Sequence, residues 1–461
     1  MSLDIFFKPK SIAIIGASRN PERVGHVILK RMIGIGFPGK LYPVNPRAEE
    51  ILGIKCYSST DEIPDQIDLA VIALRADMTP QALEGAAKRG AKGAIVVSGG
   101  FSEIGNEDLE RKLLEVARNY KVRVIGPNCL GVFDPKDRID TLFLPEEVIP
   151  RPRPGEVSII TQSGSLGSTL LTMIRKEGRG ISKFISYGNR LDVDEGDLIN
   201  YLADDDETKV IAAYIEGVAN GRKFMDAIRR ASMKKPVVIL KGGRTSSGDR
   251  AVKSHTGSLA GRSDIFQSAV KQSGAVVVDT LDEFIDVPVA LATQPPMRGD
   301  RVAVITNGGG FGILAVDSLE QRGFRVTPPS SKLMEKLREM LPPYYPVGNP
   351  TDLTGDSTPE QFLETGLAFA ESGEYDALYL LPLFGVPGME PERTKRLLIE
   401  LVNRSKLPVV ACAVPTTPEV EETLNEIERM GLPIYPTPER AASALKGLLE
   451  YGEIRRRIEH F

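Results

Sequence analysis

The chain has 461 residues, room for about three domains of ordinary size. Its 41% hydrophobic and 26% charged content is that of a water-soluble globular protein, and a net charge of −4 gives no support for a nucleic-acid or acidic-lipid partner. Three separated cysteines (Cys56, Cys129, Cys412) imply a reducing compartment without a disulfide framework or zinc site, and three histidines argue against a multi-histidine metal centre, so no metal is expected on this chain. The first residues show no basic-then-apolar leader and no stretch reaches the length of a membrane span, so a cytoplasmic protein is expected.

From residue 9 to 130, short apolar strands alternate with helical patterns: Ser11–Ile15, Leu41–Val44, Leu69–Leu74, Ala94–Val97 and Val122–Ile125. That rhythm predicts a parallel, doubly wound sheet whose ligand sits at the carboxyl ends of the strands. Those ends carry Gly16-Ala17-Ser18-Arg19-Asn20, Asn45-Pro46-Arg47, Ser98-Gly99-Gly100 and Gly126-Pro127-Asn128. Small residues allow close backbone approach and arginines meet phosphate, so a nucleotide-like ligand is expected. Gly16-Ala17-Ser18 is not the GxGxxG of a dinucleotide site, and Gly25 comes too late to complete it. Asn45-Pro46-Arg47 also stands where an NAD site would carry an acid for the ribose. This counts against NAD and leaves room for another phosphorylated adenine carrier.

Arg151-Pro152-Arg153-Pro154-Gly155 reads as a linker, and a second unit follows. The strand Val157–Thr161 leads through Gln162-Ser163-Gly164-Ser165 into an apolar helix. A turn of that kind either caps the helix through serine or leaves N–H groups free for an anion, and the local pattern fits both. Asp204-Asp205-Asp206-Glu207 resembles a metal cluster but is read as a solvated turn. Val210–Ile215 ends in Glu216, and Pro236–Lys241 launches a long loop of small residues holding Lys253-Ser254-His255-Thr256-Gly257. A loop rich in Gly and Ser builds no core, and its imidazole is free to act as nucleophile, base or ligand. Glu216 is either a surface strand-end glutamate or the carboxylate that orients His255; spacing alone leaves both open. After Arg298-Gly299-Asp300 the alternation resumes, with Asn307-Gly308-Gly309-Gly310 opening a helix, where a second anion site is possible, and Phe384-Gly385-Val386 following a further strand. No P-loop or long ATP-binding module is recognised in the sequence, so any ATP site is expected on another chain.

These motifs, in this order, resemble the alpha subunit of NDP-forming acyl-CoA synthetases of the ADP-forming acetyl-CoA type, relatives of succinyl-CoA synthetase. The resemblance covers nearly the whole chain. It rests on Gln162-Ser163-Gly164-Ser165, Tyr214-Ile215-Glu216-Gly217, Ser254–Gly261, Asn307–Gly310, Asn349-Pro350-Thr351-Asp352 and Phe384-Gly385-Val386. The fold it implies is three consecutive doubly wound α/β units: a Rossmann-like CoA-binding domain (1–150), a flavodoxin-like ligase domain with the histidine loop (151–297) and a second flavodoxin-like ligase-CoA domain (298–461). It implies CoA as substrate, held by Gly16, Ala17, Ser18, Arg19, Asn45, Arg47, Ser98, Gly99, Gly100 and Asn128. It makes His255 the residue that is phosphorylated and Glu216 the residue that holds it. Ser163, Gly164, Ser165, Gly257, Gly385 and Val386 fall to the phosphoryl group, at two helix starts, and Asn307 and Asn189 to the acyl substrate. The partner implied is an ATP-grasp beta subunit carrying Mg²⁺ and ADP/ATP, in an alpha2beta2 assembly. A CoA-binding regulatory or scaffold protein is the rival, and the presence of both His255 and Glu216 speaks against it.

Overall fold

The computed structural model describes residues 2–248, 250 and 263–459. The chain folds as two compact units, Met1–Val278 and Asp279–Phe461.

In the first unit, β1 (Ser11–Ile15), β2 (Lys40–Val44), β3 (Leu69–Ile72), β4 (Gly93–Val96) and β5 (Arg123–Ile125) form a parallel sheet in the order β2-β1-β3-β4-β5. Apart from Ser11, Lys40 and Arg123 at their starts these strands are apolar and largely buried, as a parallel sheet covered on both faces requires. The order reverses beside β1, and the crevice at that switch point is where such sheets bind ligands.

The chain then makes an antiparallel hairpin, β6 (Gly131–Asp134) and β7 (Ile139–Asp140), which joins the next sheet instead of the first. Asp134 turns it by accepting the N–H groups of Lys136 and Asp137, each at 3.0 Å. The expected boundary after residue 150 therefore runs behind a hairpin that already belongs to the second sheet. That sheet continues with β8 (Val157–Thr161), β9 (Phe184–Ser186), β10 (Val210–Ile215), β11 (Val237–Lys241) and β12 (Val276–Val278), in the order β12-β11-β10-β8-β9-β6-β7. One apolar core spans both sheets. Arg123 of β5 crosses between them to Asp192 (2.8 Å) and Asp197 (2.9 Å).

The acidic run 204–207 is the expected turn at a helix end, with Asp204 and Asp206 exposed. Asp204 pairs with Arg230 and Lys234, which hold its carboxyl down to about 2, while Asp205 pairs with the buried Lys183.

The second unit holds β13 (Val302–Thr306), β14 (Thr351–Asp352), β15 (Ala377–Leu381), β16 (Val409–Cys412) and β17 (Ile434–Tyr435), parallel throughout in the order β14-β13-β15-β16-β17. As a compact unit it begins at Asp279. The reason is packing: the helix Leu281–Thr293 lies on the long helix Pro438–Glu459, so closely that a Cβ on Gly447 would be 3.1 Å from Val287 Cγ2.

Candidate functional site

The turn after β1 is built by close backbone contact. Gly16 has φ +95°, a region that side-chain-bearing residues avoid. Helix α1 (Val24–Gly34) starts against it, and a Cβ on Gly25 would sit 2.7 Å from the carbonyl carbon of Gly16. Gly25 thus does the helix-packing work of the last glycine in a dinucleotide fingerprint, after a longer loop. His26 Nδ1 holds the carbonyl of Ser18 at 2.8 Å. Asn45 donates to the carbonyl of Ala17 (2.7 Å) and accepts the N–H of Arg47 (2.8 Å), so its side chain shapes the turn. Arg19 reaches the carbonyl of Arg47 at 3.1 Å, and both, like Arg23 at the start of α1, are exposed. Arg23 and His26 carry no motif and were not singled out in the sequence.

Ser98 donates to the carbonyl of Leu74 at 2.5 Å. Glu103 accepts N–H groups from Gly100 and Phe101 and the side-chain amide of Asn189 (2.6 Å). Burial opposes ionisation of Glu103, but those donors outweigh it and its carboxyl lies below the ordinary range. Glu110 also accepts from Asn189, at 3.0 Å, and Asn189 Oδ1 accepts from Asn128 at 3.3 Å. Asn189 and Asn128 are therefore one fixed group.

Helix α2 (Gly164–Lys176) opens at Ser163, whose Oγ accepts the N–H of Leu166 at 3.3 Å. The first N–H groups, on Gly164 and Ser165, have no acceptor among the described residues, as the geometry of a helix start leaves them. Capping by Ser163 thus leaves two N–H groups open at this helix start. Gln162 Oε1 accepts the backbone N–H of Glu216 (3.0 Å) and Gly217 (3.2 Å), which ties this turn to the end of β10. Glu216 is buried, so the surface reading fails; Tyr214 donates to its Oε1 at 3.3 Å. Buried Lys241, at the end of β11, donates to the Glu216 carbonyl at 2.9 Å. His255 and Gly257 lie outside the described residues.

A cavity of ≈ 440 Å³ opens between the two sheets of this unit. Gln162, Ser163, Gly164, Ser165 and Ser168 form one side, and Val97, Ser102, Asn128 and Cys129 form the side of the first sheet. Leu130, Phe143, Leu144, Gly188 and Asn189 complete it. The Cys129 thiol is pushed up to about 12 by burial, which leaves it an uncharged wall.

Beside this region, at the start of helix α3 (Glu195–Asp204), Glu195 is buried and its Oε2 has no hydrogen-bond partner among the described residues. Burial raises its carboxyl to about 7. An acid raised in the folded state contributes stability that is complete below its unfolded pKa of about 4.3 and lost as pH rises through the folded value. Glu195→Gln is therefore expected to stabilise the first unit by about 3 kcal/mol at pH 8 and to change little at pH 4. Denaturant melts at the two pH values check this; equal effects at both would refute it.

In the second unit the buried Asn307 accepts the N–H of Leu383 at 2.6 Å and donates to its carbonyl at 3.3 Å, so the side chain joins the ends of β13 and β15. Helix α4 (Gly309–Glu320) starts as expected, but the Asp352 carboxylate lies 2.9 Å from where a Cβ of Gly309 would be. A second anion is thus opposed at that helix start. The helix expected to begin at Gly385–Val386 begins at Pro391 (α5, Pro391–Arg404). Glu390 caps it with its own carboxylate, accepting from Glu392 (3.0 Å) and Arg393 (2.7 Å). Gly385 and Val386 form a turn, not a helix start. Pro at the first helical position was the sequence signal for the later start.

A nucleotide-type sheet and a flavodoxin-like sheet thus share one cavity, with open helix N–H groups on one side of it. Residues 10–135 match the family described as CoA binding domain, residues 154–291 that described as succinyl-CoA ligase like flavodoxin domain, and residues 302–447 the ligase-CoA domain. The chain is 39% identical over 454 residues to the alpha subunit of ADP-forming acetate–CoA ligase II of Pyrococcus furiosus, covering 97% of each chain. Against the alpha subunit of ligase I of the same organism it is 38% identical over 470 residues, covering 98% of each. A solved structure from Ca. Korarchaeum cryptofilum, dinucleotide forming acetyl-coenzyme A synthetase 1 in complex with phosphate and ADP, matches with a TM-score of 0.90 at 36% identity, over 100% of this chain and 98% of that one. The chain belongs to the alpha subunits of ADP-forming acyl-CoA synthetases, in the succinyl-CoA synthetase superfamily. It is the catalytic alpha subunit of an ADP-forming acid–thiol ligase. No described helix is long and apolar enough to cross a membrane.

Proposed function

We propose that this subunit joins acyl-CoA, phosphate and a phosphorylated histidine in one relay at the cavity between its first two sheets. The observation that carries the reading is that the open N-terminus of α2 and the strand ends of the CoA-binding sheet line the same cavity. CoA lies across the ends of β1 to β5, its phosphates near Gly16, Ala17, Ser18, Arg19 and Arg47, and its thiol end past Ser98, Gly99, Gly100 and Asn128. Inorganic phosphate binds at Ser163, Gly164 and Ser165, where the helix end supplies roughly half a positive charge. A phosphate oxygen attacks the thioester carbon; the C–S bond breaks and CoA leaves as thiolate, giving acyl phosphate. A nitrogen of His255 then takes the phosphoryl group and the carboxylic acid leaves. Glu216, held by Tyr214, accepts the other ring N–H and so fixes the tautomer. Asn189, and Asn307 from the second unit, are the acyl-side candidates, and the small residues about His255, Gly257 among them, suit a loop that carries phosphate away.

The phosphoryl group passes to ADP on an ATP-grasp beta subunit with Mg²⁺, in an alpha2beta2 enzyme of the cytoplasm. The relatives' designation as alpha subunits supports the pairing. Intact-protein mass spectrometry after incubation with acetyl-CoA and phosphate, with and without the partner, tests the relay. Wild type is expected to gain one acid-labile phosphate, His255→Ala none, and Glu216→Gln at least tenfold less at equal times. An adduct surviving in His255→Ala would show the acceptor to be wrong.

A further inference from the structure

The relay brings phosphate, an acyl group and the thiol end of CoA to one cavity, so the walls of that cavity bound the acyl group. Two sides are already assigned by chemistry, the serine turn to phosphate and the Asn128–Cys129 side to the thiol end of CoA. The large side chains left are Leu130, which is buried, and Phe143 and Leu144, both half-buried and so more open to the cavity. They stand on a segment that is firmly held. Asp140 accepts the N–H of Leu142 at 3.2 Å, and Arg151 bonds Asp140 at 2.9 Å and the carbonyl of Leu144 at 2.9 Å. A wall held in this way discriminates by size, because the cost of a clash is not relieved by moving the loop. None of the described residues lining the cavity is charged. The Glu103 and Glu110 carboxylates stand directly behind Asn189.

We propose that Phe143, backed by Leu144, is the residue that sets acyl size in this subsite, whose uncharged described lining offers nothing to a second carboxylate. This rests on the cavity being the transfer site. An acid with a second carboxylate would place an unpaired charge beside apolar side chains and in front of Glu103 and Glu110, with no cation among the described lining to meet it. For neutral acids, a single methylene in an apolar pocket is worth about 10–200-fold in kcat/KM, so removing a phenyl ring from the wall is a large change.

The test uses the enzyme reconstituted with its beta subunit, measuring kcat/KM for acetate, isobutyrate, phenylacetate and succinate in the CoA-consuming direction, with the KM for CoA as a second readout. Phe143→Ala is expected to raise the phenylacetate-to-acetate ratio at least tenfold with the KM for CoA unchanged. Phe143→Leu is expected to shift the ratio the same way by less, and succinate is expected to remain unused by every form. A ratio unchanged in variants that still bind CoA overturns the assignment of Phe143, as does succinate turnover matching that of acetate. Should Phe143→Ala be inactive with all acids, Phe143→Leu decides by the same criterion. Wild type that binds no CoA, or forms no phosphohistidine, marks failure of the underlying relay, and the inference falls with it.

Discussion

Gly25→Ala is expected to abolish measurable CoA binding, while the same change at Gly34, in the same helix, is expected to be harmless. At Gly25 the new methyl carbon would stand 2.7 Å from the carbonyl carbon of Gly16 and 3.0 Å from Ala17 Cα. Both neighbours are backbone, so no side chain can turn aside. Gly16 cannot retreat either: a Cβ on it would already be 2.9 Å from the Ala73 carbonyl carbon on the neighbouring strand connection. The only relief is to lift the start of α1 from the sheet. That takes Arg23 and the His26–Ser18 contact with it, and so dismantles the turn expected to face the CoA phosphates. Overpacking of this kind costs about 1–3 kcal/mol, and the local displacement falls on the binding turn itself. At Gly34 a Cβ meets nothing within 4 Å, so alanine there reduces unfolded-chain entropy and stabilises by about 0.4–1 kcal/mol. Titration calorimetry with CoA and melts of both variants check the pair. Equal CoA affinity in Gly25→Ala and wild type would refute the role given to this glycine.

What sequence reading reached and missed divides along the range of the interactions. Strand runs such as Val157–Thr161 and Val302–Thr306 are buried on both faces, so they stand out as apolar blocks ending in small residues, and the three sheets follow from them. Ser163–Ser165 was legible because a helix start leaves its donors open by local geometry alone. Glu216 was legible as a position but not as an environment: its burial depends on Gln162 and Tyr214, brought in by other strands. The β6–β7 hairpin was missed because its partner strand, β9, lies fifty residues on, although the Asp134 turn had a readable signal. Gly25 was set aside because a spacing rule was applied where the physical need was only a close approach of helix to strand. Phe143 and Leu144 sit in irregular chain with no period or motif, and only tertiary folding sets them across from Ser163. The masked-by-distance character of such residues is general: walls of a cavity are chosen by shape, which leaves little trace in local pattern.

The segment bearing that wall yields the other large effect. Asp140→Ala is expected to destabilise the first unit by about 3–5 kcal/mol, the cost of removing one partner from a buried ion cluster. Its carboxylate is fully buried and bonds Arg31 of α1 at 2.9 Å and Arg151 at 2.9 and 3.2 Å. Arg151 is itself 4% exposed in its side chain, so the substitution leaves a guanidinium charge in the interior with carbonyls of Ile149 and Leu144 as its remaining acceptors. Asp140→Asn keeps a group able to accept from Leu142 but gives up the charge, and should fall between wild type and alanine. The cluster ties α1, which packs against the turn expected to face CoA, to the chain that carries Phe143. Loosening it should therefore weaken CoA binding and flatten the discrimination between acetate and phenylacetate together. A surface ion pair removed as a control, Lys209 with Glu156, should cost no more than about 1 kcal/mol and leave both readouts alone. If Asp140→Ala melts like that control, the buried cluster is not what holds the wall in place, and the rigidity on which acyl selection depends must come from the apolar contacts of Leu142 and Ile149 instead.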